Sequence, residues 1–431
     1  MLKARFGHDL HVEGDLVQVE GGGLALTIRG DGLLPKTFAG GAGDFEKLAT
    51  QAAEYVYAES QPANYVYYLT NVSRFDEAIA FARSKFPGAD AWLRGELLNS
   101  WANALDALGG SRDEVMGLYR AALQFNPEAW AEYNNISGIQ MTSGDEEGAW
   151  RTQQDLRLAA SGRPRPEWQL MNLSWYQLTY DQITVASLLE SDTSSNQAGG
   201  SYVDSTMERL WLAIAQAFMH DSAGAELTLL TINSADENAA DAAATHFVRG
   251  QLASESGNTE LAATEMAAYG KAYADPIVSS QVTVGGGNCW AALAEERAGH
   301  ADKADAALKP GGNFVDCYRF RGDILDGRGD WPGAQKAYTD AVALAPDLPA
   351  AYYSWGMALI RHGDLAAAEA KLRDANQHGP HWADPLKAWG DLLAKQGNAK
   401  QAMAKYDQAL KYAPNWKQLE GAKAALSKAV H

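Results

Sequence analysis

Three stretches near the C-terminus repeat one pattern at a fixed interval of 34 residues. "GRGDWPGAQKAYTDAVALAP" ends at Pro346, "RHGDLAAAEAKLRDANQHGP" at Pro380 and "KQGNAKQAMAKYDQALKYAP" at Pro414. Glycine recurs at 322, 356 and 390, and alanine at 334, 368 and 402 and again at 341, 375 and 409. Tyr338, Leu372 and Tyr406 supply one large residue to each copy. Such reuse marks a chain built from copies of one unit. A unit this short cannot bury its apolar face alone, so the copies must stack.

The residue types explain the unit. In the copy starting at Pro349, Tyr352, Trp355, Gly356 and Leu359 fall on one helical face, and Ala368, Leu372 and Ala375 on a second. Small residues belong where two backbones cross closely, and the large ones fill the space left over. Gly363-Asp364 provides a tight turn and a cap for the second helix, and Pro380 stops that helix. This pattern resembles the tetratricopeptide repeat (TPR), a 34-residue helix–turn–helix. The resemblance implies an all-α, right-handed superhelical TPR solenoid whose first helices line a concave groove.

Upstream the pattern loosens. Tyr133, Ile136, Gly144 and Ala149 keep its register, with a late proline at Pro164, as do Leu98, Trp101, Ala102 and Leu105 followed by Val115, Tyr119, Ala122 and Pro127. Tyr65, Tyr68, Leu69 and Ala78 mark another unit. Between 165 and 312 only single alanines guide the reading: Ala186, Ala225, Ala262 and Ala304. The expected organisation is therefore a β-hairpin segment at 1–44, TPR units at 45–164 and degenerate hairpins at 165–312. Three well-formed units at 313–414 and a capping helix at 415–431 complete it.

At the N-terminus "LHVEGDLVQVEGGGLALTIRGDG" alternates apolar and polar residues. Leu24, Leu26 and Ile28 share one face and Gly21-Gly22-Gly23 form the turn of a β-hairpin. Two strands alone are marginal in water, so the hairpin either packs on the first helix or belongs with further strands.

The formal net charge of −18 argues against nucleic acid as a partner. Charge is unevenly placed: residues 181–260 hold twelve Asp or Glu against two Arg, and residues 386–431 hold eight Lys against three acids. The two cysteines, Cys289 and Cys317, are expected as free buried thiols, because neighbouring helices usually hold Cα atoms beyond the ~7 Å disulfide limit. No signal-peptide core or membrane-length apolar run is present, which reads as cytoplasmic. The alternative is the soluble part of a membrane-anchored protein, since similar bacterial TPR proteins carry a membrane segment ahead of this layout.

No residue set indicates catalysis. His8 and His11 lack a third metal ligand nearby, and of the three Arg-Gly-Asp triplets (29–31, 321–323, 328–330) Gly322 reads as a helix packing residue and Gly329 as an interhelix turn. Neither a cofactor, a metal nor a small-molecule substrate is expected. A stack of local contacts offers an open surface, so the chain is read as a non-enzymatic scaffold or adaptor that binds a protein or peptide segment. In register, Asn99 and Asn103 face the groove one turn apart, with Asn134 and Asn135 in the next unit. Their amides both donate and accept, which suits an extended peptide backbone; inward asparagines in other TPR proteins imply the same role. Tyr353, Arg361 and Lys387 occupy the matching positions farther on, and Arg319-Asp323 and Tyr353-Met357 depart from the family's two-carboxylate clamp. The competing expectation is a self-assembling array in which the basic C-terminal end meets the acidic middle of another copy.

Overall fold

The computed structural model describes residues 10–159, 205–233, 238–275, 286–309 and 315–430. His8, Pro164 and Ala186 lie outside the described residues. The chain divides into two compact units at Ile136/Ser137.

The first unit opens with a three-stranded antiparallel sheet: β1 (Val12–Gln18), β2 (Leu24–Gly30) and β3 (Leu33–Gly40). Leu16 pairs with Leu26 across the first hairpin, and Leu26 pairs with Phe38 across the second. β3 was not expected. "LLPKTFAG" carries Pro35, which a central strand excludes, but β3 lies at the sheet edge, and the ladder breaks register between Ile28 and Gly30 to admit it. Leu26 and Ile28 bury themselves against Leu48 and Ala52 of α1 (Phe45–Ser60), so the hairpin gains both a third strand and a helix.

Helices then run in pairs. The first unit holds α2 (Pro62–Asn71), α3 (Phe75–Lys85), α4 (Ala91–Ala107) and α5 (Arg112–Phe125), and α6 (Trp130–Thr142) crosses the division. The second unit continues with α7 (Glu146–Ala159), α8 (Ser205–Phe218), α9 (Ser222–Leu230), α10 (Ala239–Glu255) and α11 (Thr259–Tyr273). Next come α12 (Gly287–Arg297), α13 (Ala301–Leu308), α14 (Val315–Gly327) and α15 (Trp331–Leu344). The array closes with α16 (Pro349–Arg361), α17 (Leu365–His378), α18 (Ala383–Lys395), α19 (Ala399–Leu410) and α20 (Lys417–Val430).

Each of the nine helix pairs described, from α2/α3 to α18/α19, turns through one residue with positive φ. Seven of these residues are glycines, from Gly109 to Gly397, as a left-handed turn favours; the others are Ser73 and His220. An Asp often follows and caps the next helix: Asp330 accepts from Gly333 N at 3.0 Å and Asp364 from Ala367 N at 3.1 Å. The small residues sit where the repeat demands. Tyr338 and Tyr406 lie directly over Gly322 and Gly390, where any Cβ would collide with the ring, and Leu372 lies over Gly356. The all-α hairpin array with a small N-terminal sheet is thus built as its spacing predicts. α20 caps it, placing Trp416 and Leu419 over Tyr406 and Ala409.

Two expectations need correction. Cys289 and Cys317 are bonded to each other, with Cα atoms 5.3 Å apart. Each is the third residue of its helix, α12 and α14, and the two first helices approach closely at that end, around Trp290, Leu293 and Phe320. Nor is the second unit a stack of local contacts alone. The α6/α7 turn at Gly144 lies against Ala345 and Leu348, and Trp150 stacks on His381 at 4.2 Å. The α8/α9 turn meets the C-terminal end, where Asn415 Nδ2 donates to Asp221 Oδ2 at 2.8 Å.

Candidate functional site

In the first unit, α4 and α6 are first helices of consecutive pairs. α4 presents Glu96, Asn99 and Asn103 at helical spacing, and α6 presents Glu132 and Asn135. The amides are joined in a chain. Tyr119 of α5 donates its hydroxyl to Asn103 Oδ1 at 2.7 Å. Asn135 Nδ2 donates to Asn99 Oδ1 at 3.2 Å and, more weakly, to Asn103 Oδ1 at 3.4 Å. Three of the four predicted asparagines are therefore brought together, and Asn134 stands beside them, half-buried. The chain fixes each amide's orientation. The NH2 groups of Asn99 and Asn103 and the carbonyl of Asn135 are not used by this chain, and all three residues are half-buried.

Sequence reasoning missed the two carboxyls there. Glu132 is 2 % exposed, and burial, reinforced by Glu96, pushes its carboxyl up to about 7. Burial also raises Glu96. Both sit in apolar-looking helix positions, and only their spacing relative to the asparagines could have flagged them.

In the second unit the predicted residues are occupied by the protein itself. Tyr353 packs edge-on against Trp382 at 4.9 Å, and burial raises its hydroxyl pKa. Arg361 Nε donates to Asp326 at 2.8 Å, and His362 shares that carboxylate. Lys387 Nζ donates to Asp391 at 2.7 Å. These are bonds between and within stacked units. One device recurs: Asp391 accepts from Tyr406 at 2.7 Å and Asp323 from Tyr338 at 2.8 Å, as Asn103 accepts from Tyr119. A polar residue on the first helix thus takes the hydroxyl of the tyrosine on the second. In the copy between them Met357 and Leu372 stand at these positions, and both belong to one apolar cluster instead.

Two further groups border the same first-helix face. Arg297 keeps surface open to water, yet protein surrounds it closely enough that burial pulls its guanidinium down, with Asp323 opposing and Arg319 adding. Asp384 Oδ2 is buried with no hydrogen-bond partner, and Asp384 is the largest charge acting on Tyr353. Neither belongs to a motif, and no periodicity could have singled them out.

Comparison with known proteins adds little. No protein-family model matches the sequence, and no curated protein matches it. Among solved structures, yeast Tom70 aligns at 12% identity over 85% of this chain and 95% of that chain, with a TM-score of 0.36. The APC/C hetero-tetramer Cut9–Hcn1 aligns at 13% identity over 88% of this chain and 78% of that one, with a TM-score of 0.40. At such overlap the repeat assignment rests on the geometry above.

Proposed function

We propose that the chain is a non-enzymatic scaffold of the TPR kind that holds an extended protein segment against the asparagine face of α4 and α6. One observation carries this reading. The Tyr119–Asn103–Asn135–Asn99 chain pre-orients amides whose remaining donors and acceptor match a peptide backbone, and pre-orientation lowers the entropic cost of binding. Backbone recognition of this sort reads extension rather than sequence.

Asn99→Ala is the direct test. It removes one unused NH2 together with the Oδ1 that accepts from Asn135, and leaves the Tyr119–Asn103 bond intact. Against partners recovered by wild-type protein from the native cell extract, it should lose about three- to tenfold in affinity, the worth of one hydrogen bond. Unchanged affinity with an unchanged circular-dichroism spectrum would reject this face.

Self-assembly of a basic end onto an acidic middle gains less support. Asn415 already bonds Asp221 within one chain, and Trp416 stacks on His220. The Cys289–Cys317 bond also favours an oxidising compartment over the cytoplasm as the place of work. Among the described residues, no helix is long and apolar enough to cross a membrane.

A further inference from the structure

We propose that two histidine–tryptophan pairs, His220–Trp416 and His381–Trp150, are latches that hold distant hairpins of the second unit closed on one another and open together to uncover the Asp384–Tyr353 face. His220 is the stronger latch. Its ring stacks flat on Trp416, 3.7 Å between centroids and 8° between planes. Nδ1 meets Glu255 Oε1 of α10 at 3.1 Å, and Nε2 meets Asp384 Oδ1 of α18 at 3.2 Å. One side chain therefore ties α10, α18 and the start of α20 to the α8/α9 turn, across 164 residues to Asp384. His381 keeps the stacking but not the hydrogen bonds: it stacks on Trp150 and places Nδ1 3.3 Å from a single carboxylate oxygen, Glu147 Oε2 of α7, with the Tyr412 ring edge-on at 5.6 Å.

The backbone supports a dedicated role. His220 has φ 58° at the turn position that is glycine in seven of the nine hairpins. A left-handed non-glycine residue is strained where a glycine is not, so the side chain has to offset that strain. It does so through charge. Burial alone would lower the imidazole pKa, but Asp384 and Glu255 overcome it and raise the ring to about 9. Further charges surround it: Asp221 on its own turn, which accepts from Asn415, Lys387 of α18, whose ammonium lies 5.5 Å over Trp416, and Glu226, Arg249, Glu265, Lys417 and Glu420, which line the same groove. Beside the latch an open groove of about 930 Å³ runs between α9, α10 and residues 415–420, so water reaches the contact and can replace it.

The sign follows from the raised value. The folded imidazole binds its proton more tightly than a free one near 6.5, so the latch contributes fully below that pH and is lost as pH rises through about 9. Asp384 bonds His220 through Oδ1, its Oδ2 is buried without a partner, and its charge acts on Tyr353, so releasing the histidine changes the electrostatics of that face.

Amide hydrogen exchange, corrected for its intrinsic pH dependence, tests the proposal. In wild-type protein, residues 216–224 and 413–420 should lose protection by about tenfold or more between about pH 7 and about pH 10, while α4 and α5 keep theirs. His220→Asn removes ring and charge and tolerates the left-handed turn. It should show the loss already at neutral pH and no further step. Combined with His381→Gln, it should enlarge the radius of gyration in solution scattering without loss of helical signal. A wild type with no alkaline step overturns the proposal, whether or not the variants fold. So does His220→Asn with wild-type protection.

Discussion

At the scale of single residues, most of the first-helix polar positions work inside the molecule. Asn103, Asp323 and Asp391 each accept a tyrosine hydroxyl from the second helix of their own pair. Their helical register was legible in the sequence, but their occupation was not, because hydrogen-bond partners on a neighbouring helix leave no trace in spacing. The same holds for Glu132. Its folded carboxyl binds a proton more tightly than a free one, so its contribution favours the fold below about pH 4.5 and turns to a cost as pH rises through about 7. Glu132→Gln should therefore stabilise the first unit at about pH 8 by about 1–3 kcal/mol and make no difference near pH 4. Chemical denaturation at the two pH values decides it. Equal stability of wild type and variant at the higher pH would show that Glu132 is ionised without penalty.

At the scale of elements, repeat spacing carried the C-terminal hairpins down to single contacts. Gly322, Gly356 and Gly390 sit under Tyr338, Leu372 and Tyr406 because 34-residue periodicity leaves no other place for them. β3 escaped because Pro35 and Lys36 read against a strand until the edge position and the register break are known. The disulfide escaped for a related reason. Sequence gives the separation of Cys289 and Cys317, 28 residues, but not the convergence of α12 and α14 at their N-terminal ends. Closing a loop of that length should be worth about 2–4 kcal/mol. Replacing both cysteines by alanine should lower the unfolding free energy by that amount, and alkylation of the unfolded, unreduced protein should find no free thiol. Two alkylated cysteines would contradict the pairing.

At the scale of the whole molecule, the informative fact is which contacts are not local. An ideal repeat array joins each unit only to its neighbours. The second unit adds joints between segments about 160–230 residues apart, at Gly144, Trp150, His220 and Asp221. Nothing in a 34-residue period encodes them, since they depend on accumulated curvature. Tyr353, Arg361 and Lys387 are occupied more locally, by Trp382, Asp326 and Asp391, while Asn99 and Asn103 keep NH2 groups and Asn135 a carbonyl that the amide chain does not use. The proposed binding face accordingly lies in the first unit. Site-specific photo-crosslinking measures this most directly. A photoreactive residue at position 99 should capture a bound protein segment, and one at the exposed position 120 on α5 should not. Equal capture at both positions, or capture at 120 alone, would contradict the account.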